Sequence, residues 1–193
     1  MRVIAGKYRS CPLRSLRGMD IRPTTDRLRE TLFDVLTAGR PGALAGSVWL
    51  DLYAGTGAVG IEALSRGASR VVFVESAPRA AALIRENLRS LGVTDGFEIL
   101  QQDVARALRM LDTQAVSSDF CFLDPPYRMQ GAYSEALELL STSRLLRPGS
   151  AVIAEHEKRF DPGERFAALK RFRLLKQGDA ALSFYRLEPA ATS

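Results

Sequence analysis

The chain has 193 residues, 46% hydrophobic and 25% charged, the length and balance of one soluble domain or one domain with a small appendage. Two distant cysteines (Cys11 and Cys121), one histidine, no apolar signal core and no apolar run near the roughly 20 residues of a membrane span exclude a disulfide scaffold, a His/Cys metal site and a membrane partner, and leave the cytoplasm as the expected compartment. The net charge is +5, and the excess sits in residues 1–29, which hold eight basic side chains against Asp20 and Asp26.

That basic arm (Arg2, Lys7, Arg9, Arg14, Arg17, Arg22, Arg27 and Arg29) comes first in the chain. It suits a polyanion met through its phosphates, and it suits equally a solvated, solubilising surface. Thr24 or Thr25 can cap a helix whose first turn Asp26 and Glu30 favour. Leu28, Leu32, Val35 and Leu36 form its apolar stripe, and Gly39 and Pro41 stop it. Residues 48–52 read as a buried strand, followed by a glycine-rich loop and a helix over 59–66 that ends at Gly67. The clearest strand is 70–75. Ser76 can cap the next helix, with Ala81, Ile84, Leu88 and Leu91 on one face and Gly92 after its end. A short strand at 97–100, a short helix near 104–111 and a buried strand at 119–124 follow. A helix near 133–140 precedes a Pro148-Gly149 turn and a strand at 151–154. Residues 172–187 read as two strands joined near Gly178-Asp179, within reach of a second basic cluster of Lys170, Arg171, Arg173 and Lys176, and 189–193 as a frayed tail.

Strands alternating with helices predict a parallel sheet covered on both faces, with ligands beyond the carboxyl ends of the strands. That rule selects residues 51–60, Glu75, Asp103 and residues 124–127. Gly55, Gly57 and Gly60 match the dinucleotide fingerprint between strand and helix, a weak signal alone because several nucleotide-like ligands use it. Asp51 discriminates: a carboxylate there repels a pyrophosphate but favours S-adenosylmethionine, which carries an ammonium and a sulfonium. Glu75 can accept from ribose hydroxyls and Asp103 from an adenine amino group; singly, each reads as well as a solvated strand end.

Asp124-Pro125-Pro126-Tyr127 is the most specific feature. The amino group of a base is a poor nucleophile because its lone pair is delocalised into the ring. Two acceptors on its two hydrogens help the nitrogen become tetrahedral: the Asp124 carboxylate is one candidate and the Pro125 carbonyl, aimed by neighbouring prolines, the other. Tyr127 offers a face for a base turned out of its stack. The bland alternative, a proline turn with Tyr127 packed locally, loses ground beside the glycine loop.

Together the two boxes resemble class I methyltransferases that act on amino nitrogens. Residues 1–6, residues 21–33 (Ile-Arg-Pro-Thr-Thr-Asp-Arg-Leu-Arg-Glu-Thr-Leu-Phe), residues 51–57, residues 62–68 (Glu-Ala-Leu-Ser-Arg-Gly-Ala) and the Asp-Pro-Pro-Tyr box narrow the resemblance to the bacterial 16S rRNA guanine-N2 methyltransferase family of RsmD type, over the chain up to about Glu155. The resemblance implies a Rossmann-like, seven-stranded, mostly parallel sheet with helices on both faces and an antiparallel last strand, plus a short basic N-terminal extension. The expected division is residues 1–40 as basic arm and capping helix and 41–188 as the methyltransferase domain. The implied cofactor is S-adenosylmethionine, lined by Asp51, Tyr53, Ala54, Gly55, Thr56, Gly57, Glu75, Ser76, Asp103 and Thr25. The implied substrate is one guanine of 16S rRNA within a partly assembled small subunit, with Asp124, Pro125 and Tyr127 at the base and no need for more than a monomer. Arg9, Arg14, Arg17, Arg22 and Arg27 are candidates to grip phosphates, as is Arg29; for residues 22–30 the alternative is a capped helix with solvated arginines, and the resemblance favours the grip. Glu155 and His156 are candidates to face the active site, although for His156 a solvated loop is favoured. The rivals are a DNA amino methyltransferase, which usually carries an extra sequence-reading region, a protein glutamine methyltransferase, which typically has Asn at the position of Asp124, an NAD-dependent oxidoreductase, and a non-catalytic RNA-binding module.

Overall fold

Thr25 starts the first helix: its hydroxyl oxygen accepts the Leu28 N–H at 3.1 Å, satisfying one of the orphan donors of α1 (Asp26–Thr37). Leu28, Leu32 and Phe33 fill the buried face, and Phe33 stacks on Trp49 with ring centroids 5.3 Å apart. The computed structural model describes residues 1–15 and 25–188, and the chain forms two compact units, Met1–Asp103 and Val104–Ser193. Arg17, Arg22 and Thr24 lie outside the described residues.

The first unit continues with β1 (Val48–Leu52), α2 (Ala58–Ser65), β2 (Arg70–Val74), α3 (Pro78–Ser90) and β3 (Phe97–Leu100). Its strands run parallel in the order β3-β2-β1, with Asp51 opposite Phe73 and Phe73 opposite Ile99. Trp49, Leu50, Val71, Val72 and Phe73 are fully buried, the continuous apolar burial of a strand covered on both faces. Ser76 is not the cap of α3. Ala77 holds that position without a side-chain bond, Pro78 opens the helix, and the Glu75 carboxylate accepts the Ala77 N–H at 2.8 Å instead.

The second unit holds α4 (Val104–Thr113), β4 (Ser118–Leu123), α5 (Gln130–Thr142), β5 (Leu146–Glu157), β6 (Arg165–Phe166), β7 (Leu169–Gln177) and β8 (Ala180–Leu187). Its strand order is β4-β5-β8-β7-β6; β4 and β5 are parallel and the other pairs antiparallel. Pro148 and Gly149 do not end a turn before the strand. They lie inside β5, where the pairing with β4 slips between Ser118 and Phe120, and that irregularity absorbs a proline that cannot join a regular ladder.

The eight described strands exceed the expected seven by β6. It pairs Arg165 with Lys170 and Phe166 with Leu169, around a turn in which Ala167 takes a φ of 44°. No glycine, proline, asparagine or aspartate marks that turn in the sequence, so nothing announces the hairpin.

Candidate functional site

Asp51 stands one residue before the end of β1, where the glycine loop begins; it is 2% exposed, and its Oδ2 accepts the Gly60 N–H at 2.9 Å. Burial, with the Glu75 charge adding to it, pushes this carboxyl up to about 7 against the opposing Gly60 bond. Gly60 is a packing residue: a Cβ there would lie 2.3 Å from the Phe73 ring, so its absence lets α2 sit against β2. Gly55 and Gly57 turn the loop with φ of 55° and 77°, and Tyr53 joins them at 59°. The Ala54 N–H donates to the Val74 carbonyl at 3.0 Å and the Gly57 N–H to the Ala54 carbonyl at 2.7 Å. Buried Glu75 accepts the Gly55 N–H on one oxygen at 2.9 Å and the Ala77 N–H on the other. One carboxylate thus ties the loop to the start of α3. Ala54, Thr56 and Gly57 are buried, Tyr53 and Gly55 half-buried, and Ser76 and Asp103 exposed. Thr25 is occupied as the cap of α1.

The same unit holds a buried cluster that the sequence reading did not separate out. Glu62, fully buried in α2, accepts the Ile4 N–H at 2.8 Å, the Ala5 N–H at 3.0 Å and the Arg66 Nε–H at 2.7 Å. Ser65 accepts the Tyr8 N–H at 2.9 Å and donates to the Ala5 carbonyl. The Glu-Ala-Leu-Ser-Arg-Gly box therefore clamps the main chain of residues 4–8. Arg29 is no phosphate grip. It is fully buried, donates to the Arg2 carbonyl and to Asp26, and stands 3.8 Å from Glu62. Its Nε and Nη1 find no hydrogen-bond partner, and burial lowers its pKa. Arg9, Arg14 and Arg27 are exposed, with Arg14 paired to Glu86 at 3.2 Å. Residues 1–14 are thus laid against α2 and α3 by their backbone, with Val3 and Leu13 buried and the heads of Arg9 and Arg14 outward.

In the second unit, β4 runs directly into the Asp-Pro-Pro-Tyr box. Pro125 is buried, Pro126 exposed, and Asp124 and Tyr127 half-buried. The Tyr133 hydroxyl, from α5, donates to the Glu155 carbonyl at 2.8 Å and stands 3.5 Å from the Pro125 carbonyl. Burial and the neighbouring Asp124 charge raise the Tyr133 pKa, so the phenol keeps its proton. His156 is neither in a solvated loop nor free to act. It is 1% exposed within β5, with Nε2 2.9 Å from Ser183 Oγ and Nδ1 2.9 Å from the Glu157 carbonyl. Burial lowers its pKa. Glu155 is also buried, on the same strand. Among the described residues, no group of three His, Cys, Asp or Glu side chains could hold a metal ion, and no helix is long and apolar enough to cross a membrane.

Known proteins resemble this chain. The family described as Conserved hypothetical protein 95 matches residues 1–186. Ribosomal RNA small subunit methyltransferase D of Haemophilus influenzae is 33% identical over 188 residues, spanning 97% of this chain and 92% of the relative. The protein of that name in Escherichia coli K12 is 31% identical over 157 residues, spanning 81% and 75%. A solved structure titled as a candidate methyltransferase, yhhF, from Escherichia coli superposes with a TM-score of 0.81 at 27% identity, covering 98% of this chain and 99% of the other.

Proposed function

The chain belongs to the family described as Conserved hypothetical protein 95, and on that premise we propose that it is an S-adenosylmethionine-dependent methyltransferase of small-subunit ribosomal RNA, acting on the exocyclic N2 amine of a guanine. The single observation that carries the reading is the Asp-Pro-Pro-Tyr box at the carboxyl end of β4, with a buried proline behind a half-buried carboxylate and a half-buried ring. The names of the relatives support rRNA as the substrate class.

The residues of the first unit suit the cofactor. Asp51 is a buried carboxyl pushed up to about 7, with a Gly60 N–H on one oxygen, and a nearby cation would favour its ionised form. Glu75 holds the loop and keeps lone pairs for hydroxyl donors. Tyr53, Ala54, Gly55, Thr56, Gly57, Ser76, Asp103 and Thr25 complete the proposed lining. When bound, S-adenosylmethionine supplies an electrophilic methyl group on a sulfonium.

In the second unit Asp124 accepts one hydrogen of the target amine and the Pro125 carbonyl the other, which draws the nitrogen out of conjugation. Tyr127 stacks on the base and excludes water from that side. Arg9, Arg14 and Arg27, with Arg17 and Arg22 outside the described residues, meet RNA phosphates.

Small-subunit particles from cells lacking the gene test the reading directly. Labelled methyl groups are expected in N2-methylguanosine; label in adenosine, cytidine or protein rejects the assignment. Charge reversal of Arg9, Arg14 and Arg17 is expected to weaken RNA binding and to flatten its dependence on salt.

A further inference from the structure

Asn87 is a polar residue on an apolar stripe. It stands on α3 between buried Ile84 and buried Leu88 and has no solvent exposure. A buried amide needs its donors and acceptor matched, and the matches here are long-range. Its Oδ1 accepts the Arg14 N–H at 2.9 Å, and its Nδ2 donates to the Arg14 carbonyl at 3.2 Å and to the Thr56 carbonyl at 3.0 Å. The two bonds to the Arg14 main chain fix which way the amide faces. The second N–H is thereby aimed at the glycine loop.

Thr56 lies between two residues with left-handed backbones, Gly55 and Gly57. Glycine torsions resist rotation of the adjoining peptide planes very little. The plane joining Thr56 to Gly57 is nevertheless pinned at both ends. The Gly57 N–H is held by the Ala54 carbonyl at 2.7 Å and the Thr56 carbonyl by Asn87.

We infer that Asn87 is a positioning residue for the cofactor loop and that the N-terminal segment, through the main chain of Arg14, sets its orientation. The segment then serves cofactor affinity as well as any contact with RNA. This rests on the reading that residues 51–57 hold S-adenosylmethionine.

The test uses the full chain, titrated with S-adenosylhomocysteine and followed by amide hydrogen exchange with and without that ligand. Asn87→Asp keeps the volume and the acceptor and deletes both N–H donations. It is expected to raise the Kd about tenfold, the effect of losing the one buried bond that reaches the loop at Thr56. In the wild type the ligand slows exchange at Gly55, Thr56 and Gly57 and also at Arg14; in the variant the Arg14 response is lost. Arg14→Pro removes the N–H that faces Oδ1, together with the exposed pair to Glu86, and keeps the Arg14 carbonyl; it is expected to raise the Kd severalfold and decides the matter if Asn87→Asp does not fold. Ser65→Ala loosens the segment at residues 5–8 without touching Thr56, and its Kd is expected within twofold of wild type. Binding by Asn87→Asp and Arg14→Pro within twofold of wild type overturns the inference, as does a loss in Ser65→Ala equal to that in Asn87→Asp. Absence of slowing at residues 55–57 in the wild type instead overturns the cofactor reading beneath it.

Discussion

The glycine loop and the Asp-Pro-Pro-Tyr box leave strands of the same kind, β1 and β4, each buried along most of its length. They are made rigid by different means. The loop carries glycines at positive φ and is held from outside: Asp51 on Gly60, Glu75 on Gly55 and Ala77, Asn87 on Thr56. The box carries two prolines whose rings restrict the backbone directly, with the Tyr133 hydroxyl close to one carbonyl. A permissive backbone needs neighbours to hold it, whereas a restricted one needs few. Loss of a neighbour should therefore be felt more strongly in the loop than in the box, unless the residue lost meets the substrate itself.

The hardest break is at a substrate contact. Asp124→Ala is expected to lower the rate of methyl transfer by about 10²–10³-fold while cofactor affinity, read by titration, stays within twofold. A collapse of cofactor binding would make Asp124 a structural residue. Next, Glu75→Gln removes the charge that receives one N–H of the loop and one at the start of α3, and is expected to weaken S-adenosylmethionine about 10- to 100-fold. An unchanged Kd would mean that the loop holds its shape without that carboxylate.

Asp51 sharpens the comparison through pH. With its carboxyl raised to about 7 in the free protein, a cationic cofactor must displace a proton to bind below that value. Affinity for S-adenosylmethionine is expected to fall about tenfold for each pH unit below 7 and to level off above it. Asp51→Asn should flatten that profile, and a wild-type profile without the fall would separate Asp51 from the cofactor's charge. The smallest effect is expected at Tyr133→Phe. It deletes the bond to Glu155 and the polar neighbour of Pro125, for about 1 kcal/mol of stability and a severalfold lower kcat with cofactor affinity unchanged. A kcat equal to wild type would show that the prolines suffice.

What could be read from the sequence was local. Thr24 or Thr25 announced α1, the strand read at 70–75 announced β2, and the residues of both boxes stood where strand ends were expected. What escaped was set by partners distant in sequence. Arg29 looks like a solvated arginine on a helix, but it is buried because Glu62 and the Arg2 carbonyl wait 33 and 27 residues away. His156 follows an apolar strand, and only the pairing of β5 with β8, which brings Ser183 to its ring, carries the strand through it. Asn87 did carry a signal: Ile84, Asn87, Leu88 and Leu91 share the helical stripe, and a lone amide on such a stripe implies a buried bond. Its partners at Arg14 and Thr56 have no local signature.

Gly6 carries a consequence of its own. At a φ of 82°, with a Cβ placed there only 1.9 Å from the Ser65 carbonyl oxygen, it is a point where the N-terminal backbone passes too close to α2 for any side chain. A single added methyl at that point is a wedge: it would prise the leading segment off the helix while leaving each of its polar ties chemically intact.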